Sequence, residues 1–443
     1  MNTRGIDSDL AVAGGRVLRP DMTVERADVL VDRDRGEIRA VAPDVEDEVG
    51  ADAADRLDAT GRLVIPGLVN AHTHVAMTLL RGHADDKPLD AWLREDVWPV
   101  EAALEPADVR AGADLGILEM IRSGTTAFAD MYFHVPEIAA AVEESGMRAV
   151  LGHTAITEGK EEADARADMR ESLDVAREFD GAADGRISTT FQPHSLTTVG
   201  ERFLREFVPR AREAGLPIHY HANETEAEVD PIVETHGRRP LRYAADRDLL
   251  RGGDFLAHCV HVDDEEVDLL AETGAAVVHC PASNMKLASG MAPVQRLLDA
   301  GVTVGVGTDG AASNNDLDVF DELRDAAMVG KLAAGDASAV PAEAAVRMAT
   351  AGGADALGLD AGRIEPGARA DLAVVDLDAP HLTPHNDLVS HLAYAARGSD
   401  VCHTVCDGRV LMRDREVLPL DAAAVCERAE ERAQGLLARA DVS

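Results

Sequence analysis

Apolar segments rich in β-branched residues alternate with helix-like segments through the middle of the chain. The helix-like segments, such as PEIAAAVEES and DEEVDLLAETG, are closed by glycine, as helices often are. Eight strand–helix units across about 300 residues are typical of a (β/α)₈ TIM barrel and therefore of the α/β class. The eight apolar segments are 63–75, 125–133, 147–154, 187–195, 216–224, 254–262, 275–283 and 302–310.

Short strands and turns predominate at both ends of the chain. The segment AGGRVLRPD near the start is similar to CDGRVLMRD near the end, and both read as a strand, a glycine turn and a second strand. We therefore expect the two ends to build one small β-sandwich beside the barrel. The predicted units are residues 1–62 and 369–443 for the sandwich, the latter with a final helix, and 63–368 for the barrel.

Side chains able to bind a metal or move a proton close most of the predicted strands. The carboxyl ends of all strands in such a barrel meet at one face, where the active site lies. The pattern therefore predicts a catalytic site at that face. The residues concerned are His72, His74, Asp130, His153, His194, His221, Glu224, His258, His279 and Asp309.

A metal centre is the first chemistry that these residues indicate. His72 and His74 are two residues apart, so on a strand both rings point to the same side. His221 and Asp309 close two other strands, and three imidazoles with one carboxylate and a water make a catalytic zinc site. Spacing alone leaves the third histidine ambiguous, because His219 and His221 form a second such pair. The carboxylate of Glu224, three residues after His221, favours His221.

The charge balance excludes several kinds of partner. The chain has 43 Lys+Arg against 81 Asp+Glu, a formal net charge of −38, and no basic cluster for phosphates or anionic membranes. Lysine is scarce, and this Asp-rich, Lys-poor composition resembles that of proteins from salt-loving microbes, in which salt screens self-repulsion. We therefore expect neither nucleic-acid nor membrane partners.

The remaining composition points to the cytoplasm. Neither a leader segment nor an apolar stretch of membrane-spanning length is recognisable. The five cysteines are an odd number, which favours reduced thiols over a disulfide framework. We therefore predict a cytoplasmic protein.

A set of motifs in fixed order resembles the amidohydrolase superfamily. Within it, the motifs are most similar to the deaminases that act on 5′-methylthioadenosine and S-adenosylhomocysteine, over roughly residues 10–415. The resemblance implies one Zn²⁺ held by His72, His74, His221 and Asp309, and a homo-oligomer. Fe²⁺, Mn²⁺ and Co²⁺ use similar ligands and stay open. The motifs are PGLVNAHTH, TLLRGHADD, WPVE, ADMYFH, HANE, AHCVH, PASNMKLASGMAPVQRLLDAG and GTDGAASNN.

The same resemblance implies catalytic and substrate-binding roles. Glu224 would shuttle protons, His258 would orient and polarise the attacking water, and Asp309 would accept a hydrogen bond from that water. Glu101 would bind the ribose hydroxyls, and His194 would also contact the substrate. The implied reaction converts an adenosine-type nucleoside and water into the inosine analogue and ammonia.

The 5′-substituent of the nucleoside stays open. Superfamily members that accept S-adenosylhomocysteine carry arginines near the end of strand three and in the following loop, whereas this chain has His153 there. Lys160, Arg166 and Arg170 are the candidates to replace those arginines. 5′-Methylthioadenosine, 5′-deoxyadenosine and adenosine are the other expected substrates.

Four alternatives compete with this interpretation. A two-metal site bridged by a modified lysine is disfavoured because strand four, ISTTFQPHS, has no lysine. The zinc deaminases that use HxE with PCxxC are excluded, because Cys280-Pro281 has the reverse order. Another mononuclear enzyme, such as a guanine or triazine deaminase or a chlorohydrolase, remains the alternative enzyme, although Glu101 has no ribose to bind there. A catalytically inactive, metal-binding structural protein is the alternative of another class.

Overall fold

The computed structural model describes residues 9–43, 45 and 55–441. Strands at the two ends of the chain flank a long region in which strands and helices alternate. In chain order the strands are β1 Asp9–Ala13, β2 Arg16–Leu18, β3 Val24–Arg26, β4 Asp28–Asp32, β5 Glu37–Ala42, β6 Asp55–Asp58, β7 Arg62–Pro66, β8 Leu68–Thr73, β9 Thr125–Tyr132, β10 Arg148–Ala155, β11 Ile187–Thr189, β12 Gln192–Pro193, β13 His219–Ala222, β14 Phe255–His258, β15 Ala276–His279, β16 Val304–Val306, β17 Leu372–Asp376, β18 Val401–Cys406, β19 Arg409–Arg413 and β20 Glu416–Val417.

Most helices follow the strands of the alternating region. Local signals set their ends: the Asp263 side chain accepts a hydrogen bond from the backbone N–H of Glu266 at the start of one helix. The longer helices are Pro106–Arg122, Val135–Ser145, Glu162–Phe179, Glu201–Glu213, Glu226–His236, Pro240–Ala245, Asp264–Thr273, Pro281–Lys286, Val294–Asp299, Val319–Ala334, Ala342–Arg347, Leu388–Tyr394 and Ala422–Arg439. Shorter helical turns are Val75–Leu80, Leu89–Trp92, Leu93–Val97, Trp98–Glu101, Ala182–Gly185, Ala311–Asn314, Met348–Gly352, Gly353–Ala356, Pro380–Leu382 and Gly398–Asp400.

Strands β8 to β16 form the predicted barrel. All of their ladders are parallel, in the orders β8–β9–β10–β11 and β13–β14–β15–β16, and β12 continues the fourth position against β10. Bridges from Phe191 to Ile218 and from Ser195 to His221 join the two halves. Strands β9 and β10 are buried along their whole length, which explains why these segments are apolar on both faces. The α/β fold class is confirmed.

The barrel closes beside the predicted site. The backbone N–H of Thr308 donates to Asn70 Oδ1 at 3.0 Å, and that of Asp309 donates to the His72 carbonyl at 3.0 Å. A Cβ at position 307 would lie 2.7 Å from the backbone nitrogen of His72, so only glycine permits this close approach. The contact brings Asp309, from the last strand, next to the histidines of the first.

The two chain ends form one β-sandwich, as predicted. One sheet has the order β5–β4–β1–β6, and the other has the order β20–β19–β18–β17–β7–β2–β3, in which strands from both ends are neighbours. Leu10, Val12 and Val31 of the first sheet share a buried core with Val374 and Val405 of the second. Both ends of the chain are therefore needed to bury this core.

The predicted first barrel strand, 63–75, divides into two strands with different partners. β7 pairs with β17 and β2 of the sandwich, whereas β8 pairs with β9 of the barrel. Gly67 lies between them and donates its N–H to the Asp371 carbonyl at 2.8 Å. We therefore propose that the barrel begins at Leu68 rather than at residue 63; the other predicted boundary, at 368, stays a prediction.

The long connection between the first two barrel strands folds as helical turns followed by one barrel helix, Pro106–Arg122. The turns at Leu89–Trp92, Leu93–Val97 and Trp98–Glu101 carry both tryptophans. The final helix, Ala422–Arg439, packs along the barrel helix, where Arg428 and Asp114 are 3.0 Å apart. Among the helices described, none combines the length and hydrophobicity needed to cross a bilayer.

Candidate metal centre and active site

Four buried side chains at the carboxyl ends of three barrel strands converge on one point. His72, His74, His221 and Asp309 each offer a ligand atom, and these atoms all lie within 4.8 Å of one another. Asp309 Oδ1 is 3.1 Å from His74 Nε2 and 3.5 Å from His72 Nε2, and the Nε2 atoms of His74 and His221 are 3.3 Å apart. The arrangement is a ready metal-ligand set, which we call the tetrad.

Backbone carbonyls hold two of the tetrad imidazoles in the form that a metal requires. His74 donates from Nδ1 to the Met131 carbonyl at 2.5 Å, and His221 donates from Nδ1 to the His194 carbonyl at 2.8 Å. A carbonyl oxygen can only accept, so the proton of each neutral ring is on Nδ1. In the neutral form of each ring, the Nε2 lone pair therefore faces the centre of the tetrad.

The third imidazole makes its outer contact with another histidine. His72 Nδ1 is 2.9 Å from His219 Nε2, and His219 Nδ1 is 2.8 Å from the Phe255 carbonyl. His72 Nε2 is buried and has no hydrogen-bond partner among the described residues. Burying a polar nitrogen without a partner costs free energy, and a cation bound between this nitrogen and the Asp309 carboxylate would remove that cost. The residues present therefore fit a bound metal.

Asp309 is held by one carboxylate oxygen and presents the other. Ser283 and Ser313 donate hydroxyl hydrogen bonds to Oδ2 at 2.7 and 2.8 Å, while Oδ1 faces His72 and His74. Burial acts to raise the pKa of Asp309, but its contacts with these two imidazoles outweigh burial and hold the pKa well below its usual range. The carboxylate is therefore ionised and attracts positive charge into the tetrad.

The imidazoles respond to this environment in different ways. Burial lowers the pKa of His72 to about 4 and lowers that of His221 well below its usual value. Burial also acts against a charged His74, but the adjacent Asp309 carboxylate outweighs it and raises the His74 pKa to about 9. Neutral imidazole is thus the favoured form at two of the three ring positions, as metal ligation requires.

Asp309 and His258 both depart from ordinary backbone geometry. Their φ angles are 59° and 73°, in the left-handed region that residues other than glycine seldom adopt. Such strain persists only where the surrounding structure imposes it, and it is concentrated at functional sites. The two residues therefore carry a local structural cost that is consistent with a functional role.

Glu224 and His258 share the cavity above the tetrad. Glu224 Oε1 accepts a hydrogen bond from Ser289 Oγ at 3.0 Å, and its Oε2 is 3.6 Å from His258 Nε2. His258 donates from Nδ1 to Asn284 Oδ1 at 2.9 Å, so Nε2 faces the cavity. Burial raises the pKa of Glu224. Glu228, which accepts the Glu224 N–H at 2.9 Å, has a pKa raised to about 7 by burial and by the Glu224 charge.

The same inner cavity contains two of the predicted substrate-binding residues. Glu101 lines its outer side, and burial raises the pKa of this carboxyl to about 7 against an opposing hydrogen bond from Tyr132. His194 lines it near the tetrad and bonds through Nδ1 to Thr198 Oγ1 at 2.9 Å, and burial lowers its pKa to about 3. The remaining walls include Leu89, Trp92, Leu93, Trp98, Met131, Tyr132, Phe133, Thr154 and Ile156.

His153 is separated from the tetrad cavity. It lines an outer cavity of about 600 Å³ that shares Trp98, Glu101, Phe133 and Ile156 with the inner one. The separation suits a residue that contacts the far end of a substrate. Aromatic and carboxylate side chains thus mark the boundary between the two cavities.

Charged residues of the outer cavity are held in pairs. Asp168 accepts hydrogen bonds from His153 Nε2 at 3.0 Å and from Lys160 Nζ at 2.8 Å, and Lys160 also lines the cavity. Arg166, a second candidate from the sequence, bonds instead to Glu206. Arg94, which sequence analysis did not select, lines the outer cavity and lies 5.4 Å from the centre of the Trp98 ring.

Short polar residues that orient the site were missed by sequence analysis as functional positions. Ser283 and Ser313 hold Asp309, Asn284 holds His258, and Ser289 holds Glu224. A signal was present, because all four lie within the quoted motifs PASNMKLASGMAPVQRLLDAG and GTDGAASNN. Ser313 and its partner Asp309 share one motif, but Ser283, Asn284 and Ser289 have partners elsewhere in the barrel, so the motifs alone do not reveal those three contacts.

The profile of the Amidohydrolase family matches residues 63–411, most of the chain. The chain belongs to the amidohydrolase family. The predicted resemblance is therefore confirmed.

Relatives of this amidohydrolase cover nearly its whole length. A 5-methylthioadenosine/S-adenosylhomocysteine deaminase of Haloarcula marismortui is 71% identical over 433 residues, which are 98% of this chain and 99% of the relative. A 5′-deoxyadenosine deaminase of Methanothermobacter thermautotrophicus is 47% identical over 91% of this chain and 96% of the relative. The acidic composition of this amidohydrolase fits such relatives from halophilic archaea.

A solved structure supports the metal centre of this amidohydrolase. The crystal structure of an adenosine deaminase from Xanthomonas campestris with bound zinc superposes with a TM-score of 0.91. The two sequences are 38% identical, over 97% of this chain and 99% of that one. A metal site at the tetrad agrees with this neighbour.

Proposed function

We propose that this amidohydrolase is a zinc-dependent deaminase of adenosine-type nucleosides. The substrates are 5′-methylthioadenosine and S-adenosylhomocysteine, with 5′-deoxyadenosine and adenosine as further members of the class. The observation that carries the proposal is the placement of Glu224 and His258 beside a complete His₃Asp tetrad, in a cavity whose outer side presents Glu101. The names of the relatives point to the same reaction.

The tetrad residues His72, His74, His221 and Asp309 would hold the zinc ion. The chemistry that zinc supplies when bound by such a set is a water nucleophile at neutral pH. The protein residues supply orientation and proton transfer. The native metal, the cytoplasmic location and a homo-oligomeric state stay predictions.

Glu224 performs the proton transfers in this proposal. Its carboxyl delivers a proton to N1 of the purine, which makes C6 electrophilic, and the oxygen of water adds to C6. Glu224 next moves a proton from the added oxygen to the exocyclic amine, the C6–N bond breaks and ammonia leaves. The remaining hydroxyl proton returns to the Glu224 carboxylate, which leaves the C6 carbonyl of the product and restores the acid. A pKa raised by burial suits a carboxyl that must be an acid in one step and a base in another.

His258 and Asp309 assist at the reacting oxygen. The bond from His258 Nδ1 to Asn284 directs Nε2 into the cavity, where it stabilises charge that develops on the added oxygen. The Asp309 oxygen that faces the tetrad accepts a hydrogen bond from the attacking water. His194, which lines the same cavity, contacts the purine side of the substrate.

A panel assay tests the proposed function. Zinc-loaded protein in concentrated salt is given adenosine, 5′-deoxyadenosine, 5′-methylthioadenosine, S-adenosylhomocysteine, adenine and guanine, and the ultraviolet change of each base is followed. Turnover of nucleosides but not of free bases is expected, because a ribose-binding carboxylate contributes nothing to a free base. Turnover of guanine or adenine alone would replace this function with that of a free-base deaminase.

Glu101→Gln is expected to raise KM for the nucleosides about ten- to hundredfold with a smaller change in kcat. A carboxylate accepts hydrogen bonds from both ribose hydroxyls, and hydrogen bonds to charged groups contribute about 1.5–3 kcal/mol. Steady-state kinetics across the nucleoside panel measures the change. A KM within twofold of wild type would remove Glu101 from ribose binding.

The pH dependence of the unmodified protein gives a second measurement on Glu101. Because its pKa is raised to about 7, the carboxylate form is lost as the pH falls through that value. Nucleoside KM should therefore rise below about pH 7 in the wild type, and this rise should be absent in Glu101→Gln. Circular dichroism at each pH controls for unfolding.

His153→Ala is expected to change the ranking of 5′-substituents while zinc content stays at the wild-type level. His153 lines the outer cavity rather than the tetrad, so its loss affects groups beyond the ribose. Loss of one hydrogen bond predicts a change of about two- to tenfold in relative kcat/KM. 5′-Deoxyadenosine, which carries only hydrogen in place of a 5′-substituent, serves as the internal reference. Identical ratios in both proteins would place the substituent elsewhere.

A further inference from the structure

His219 lies behind the tetrad, where no substrate can reach it. Its side chain is fully buried, and it does not line either of the two cavities at the site. The ring stacks on Phe255 with centroids 4.1 Å apart and is in hydrogen-bond contact with His72 on its other side. His219 therefore connects a backbone carbonyl of the neighbouring strand to a metal ligand.

The proton positions along this connection follow from its first acceptor. The Phe255 carbonyl can only accept, so His219 carries a proton on Nδ1. In the neutral ring His219 Nε2 is then an acceptor, and it receives the Nδ1 proton of His72 at 2.9 Å. His72 Nε2 is consequently left unprotonated and presents its lone pair to the tetrad.

We propose that His219 is a positioning residue that fixes the tautomer and the orientation of His72 for metal binding. The proposal rests on the proposed metal-dependent function. His74 and His221 obtain the same tautomer directly from the carbonyls of Met131 and His194. His72 obtains this tautomer indirectly, because the ring of His219 lies between it and the Phe255 carbonyl.

The hydrogen-bonded path from the Phe255 carbonyl through His219 to His72, which we call the relay, also keeps charge out of the buried space behind the tetrad. A carboxylate at the position of His219 would hold the His72 proton equally well, but it would bring an anion into a site with no solvent. A neutral imidazole at this position adds no charge, and the negative charge beside His72 and His74 comes from the Asp309 carboxylate that contacts them. The relay therefore orients His72 without adding to the negative charge of the ligand set.

Two substitutions separate hydrogen bonding from packing. His219→Gln offers an amide oxygen to His72 and an amide N–H to Phe255, at a spacing close to that of the two ring nitrogens. His219→Phe keeps the ring and its stacking on Phe255 but offers neither group. Zinc affinity is measured for both by competition with a chromophoric chelator, without substrate, and thermal melts of the metal-free proteins report folding.

His219→Phe is expected to lower zinc affinity about 10- to 100-fold, the usual cost of losing an outer partner of a metal-bound histidine. His219→Gln is expected to stay within about threefold of wild type. The visible spectrum of the Co²⁺-loaded proteins should change in the phenylalanine variant and be retained in the glutamine variant, because it reports ligand geometry.

Wild-type affinity in His219→Phe would overturn the proposal, and so would an equal loss in both variants. If the phenylalanine variant does not fold, the glutamine variant decides alone, since a tenfold loss of zinc affinity there contradicts the relay. Zinc affinity is measured without substrate, so the result does not depend on the proposed function. If that function is wrong, nucleosides are not deaminated although zinc affinity follows the expected order among the variants.

Discussion

Glu224→Gln is expected to keep its metal and to lose about 10²- to 10⁴-fold in kcat, the usual contribution of general acid–base catalysis. Glutamine retains an oxygen that can accept the hydrogen bond from Ser289, so the side chain keeps its position. It can neither protonate N1 of the purine nor return a proton to the leaving amine. Steady-state rates and metal analysis of the same preparation check both halves of the expectation.

Glu226→Gln is the matched control for this substitution. Glu226 is an exposed carboxylate two residues away, at the start of the helix Glu226–His236. It removes the same charge from the same segment without touching the cavity, so kcat should stay within about twofold of wild type. Near-wild-type turnover in Glu224→Gln would discard the proton-transfer role, and loss of metal from that variant would move Glu224 into the metal site.

Asp309→Ala is expected to lose both the metal and the activity. Asp309 supplies the carboxylate of the tetrad, and without it three imidazoles face one another in a buried space with no anion to offset a dication. Metal affinity should fall by more than the roughly 10- to 100-fold that loss of an outer partner costs. Chelator competition measures the affinity, and the nucleoside assay measures activity at saturating zinc.

Ser313→Ala provides a graded comparison. It removes one of the two hydroxyl groups that hold Asp309 Oδ2, while Ser283 still donates at 2.7 Å. The carboxylate and its position are largely retained, so affinity should fall by about tenfold or less. Equal losses in Asp309→Ala and Ser313→Ala would show that orientation rather than ligation by Asp309 governs metal binding.

The alternation of apolar segments was enough to predict the barrel. Each predicted strand contains a strand of the structure because burial on both faces requires nearly continuous apolar residues, and that requirement is visible in the sequence. The division of residues 63–75 was not predictable in this way. Both β7 and β8 are buried and apolar, and what separates them is their partners, β17 and β9, far along the chain.

The third metal ligand shows the same limit at the site. His219 and His221 point to the same side of β13, so spacing could not choose between them. In the structure His221 Nε2 faces the tetrad, whereas His219 lies deeper in the barrel and contacts the outer nitrogen of His72. Depth along the barrel axis distinguishes the two residues.

The sequence by itself determined which residue types close the strands, and through them the fold class and the metal chemistry. Ligand identity is a local property, because a histidine or aspartate carries its donor atoms wherever the chain folds. Only the tertiary structure decided which atoms of those residues face the metal site. Proton positions and orientations depend on partners such as the Phe255 carbonyl, which accepts from His219, and the Ser283 hydroxyl, which donates to Asp309. Distant segments bring these partners into contact only when the barrel closes.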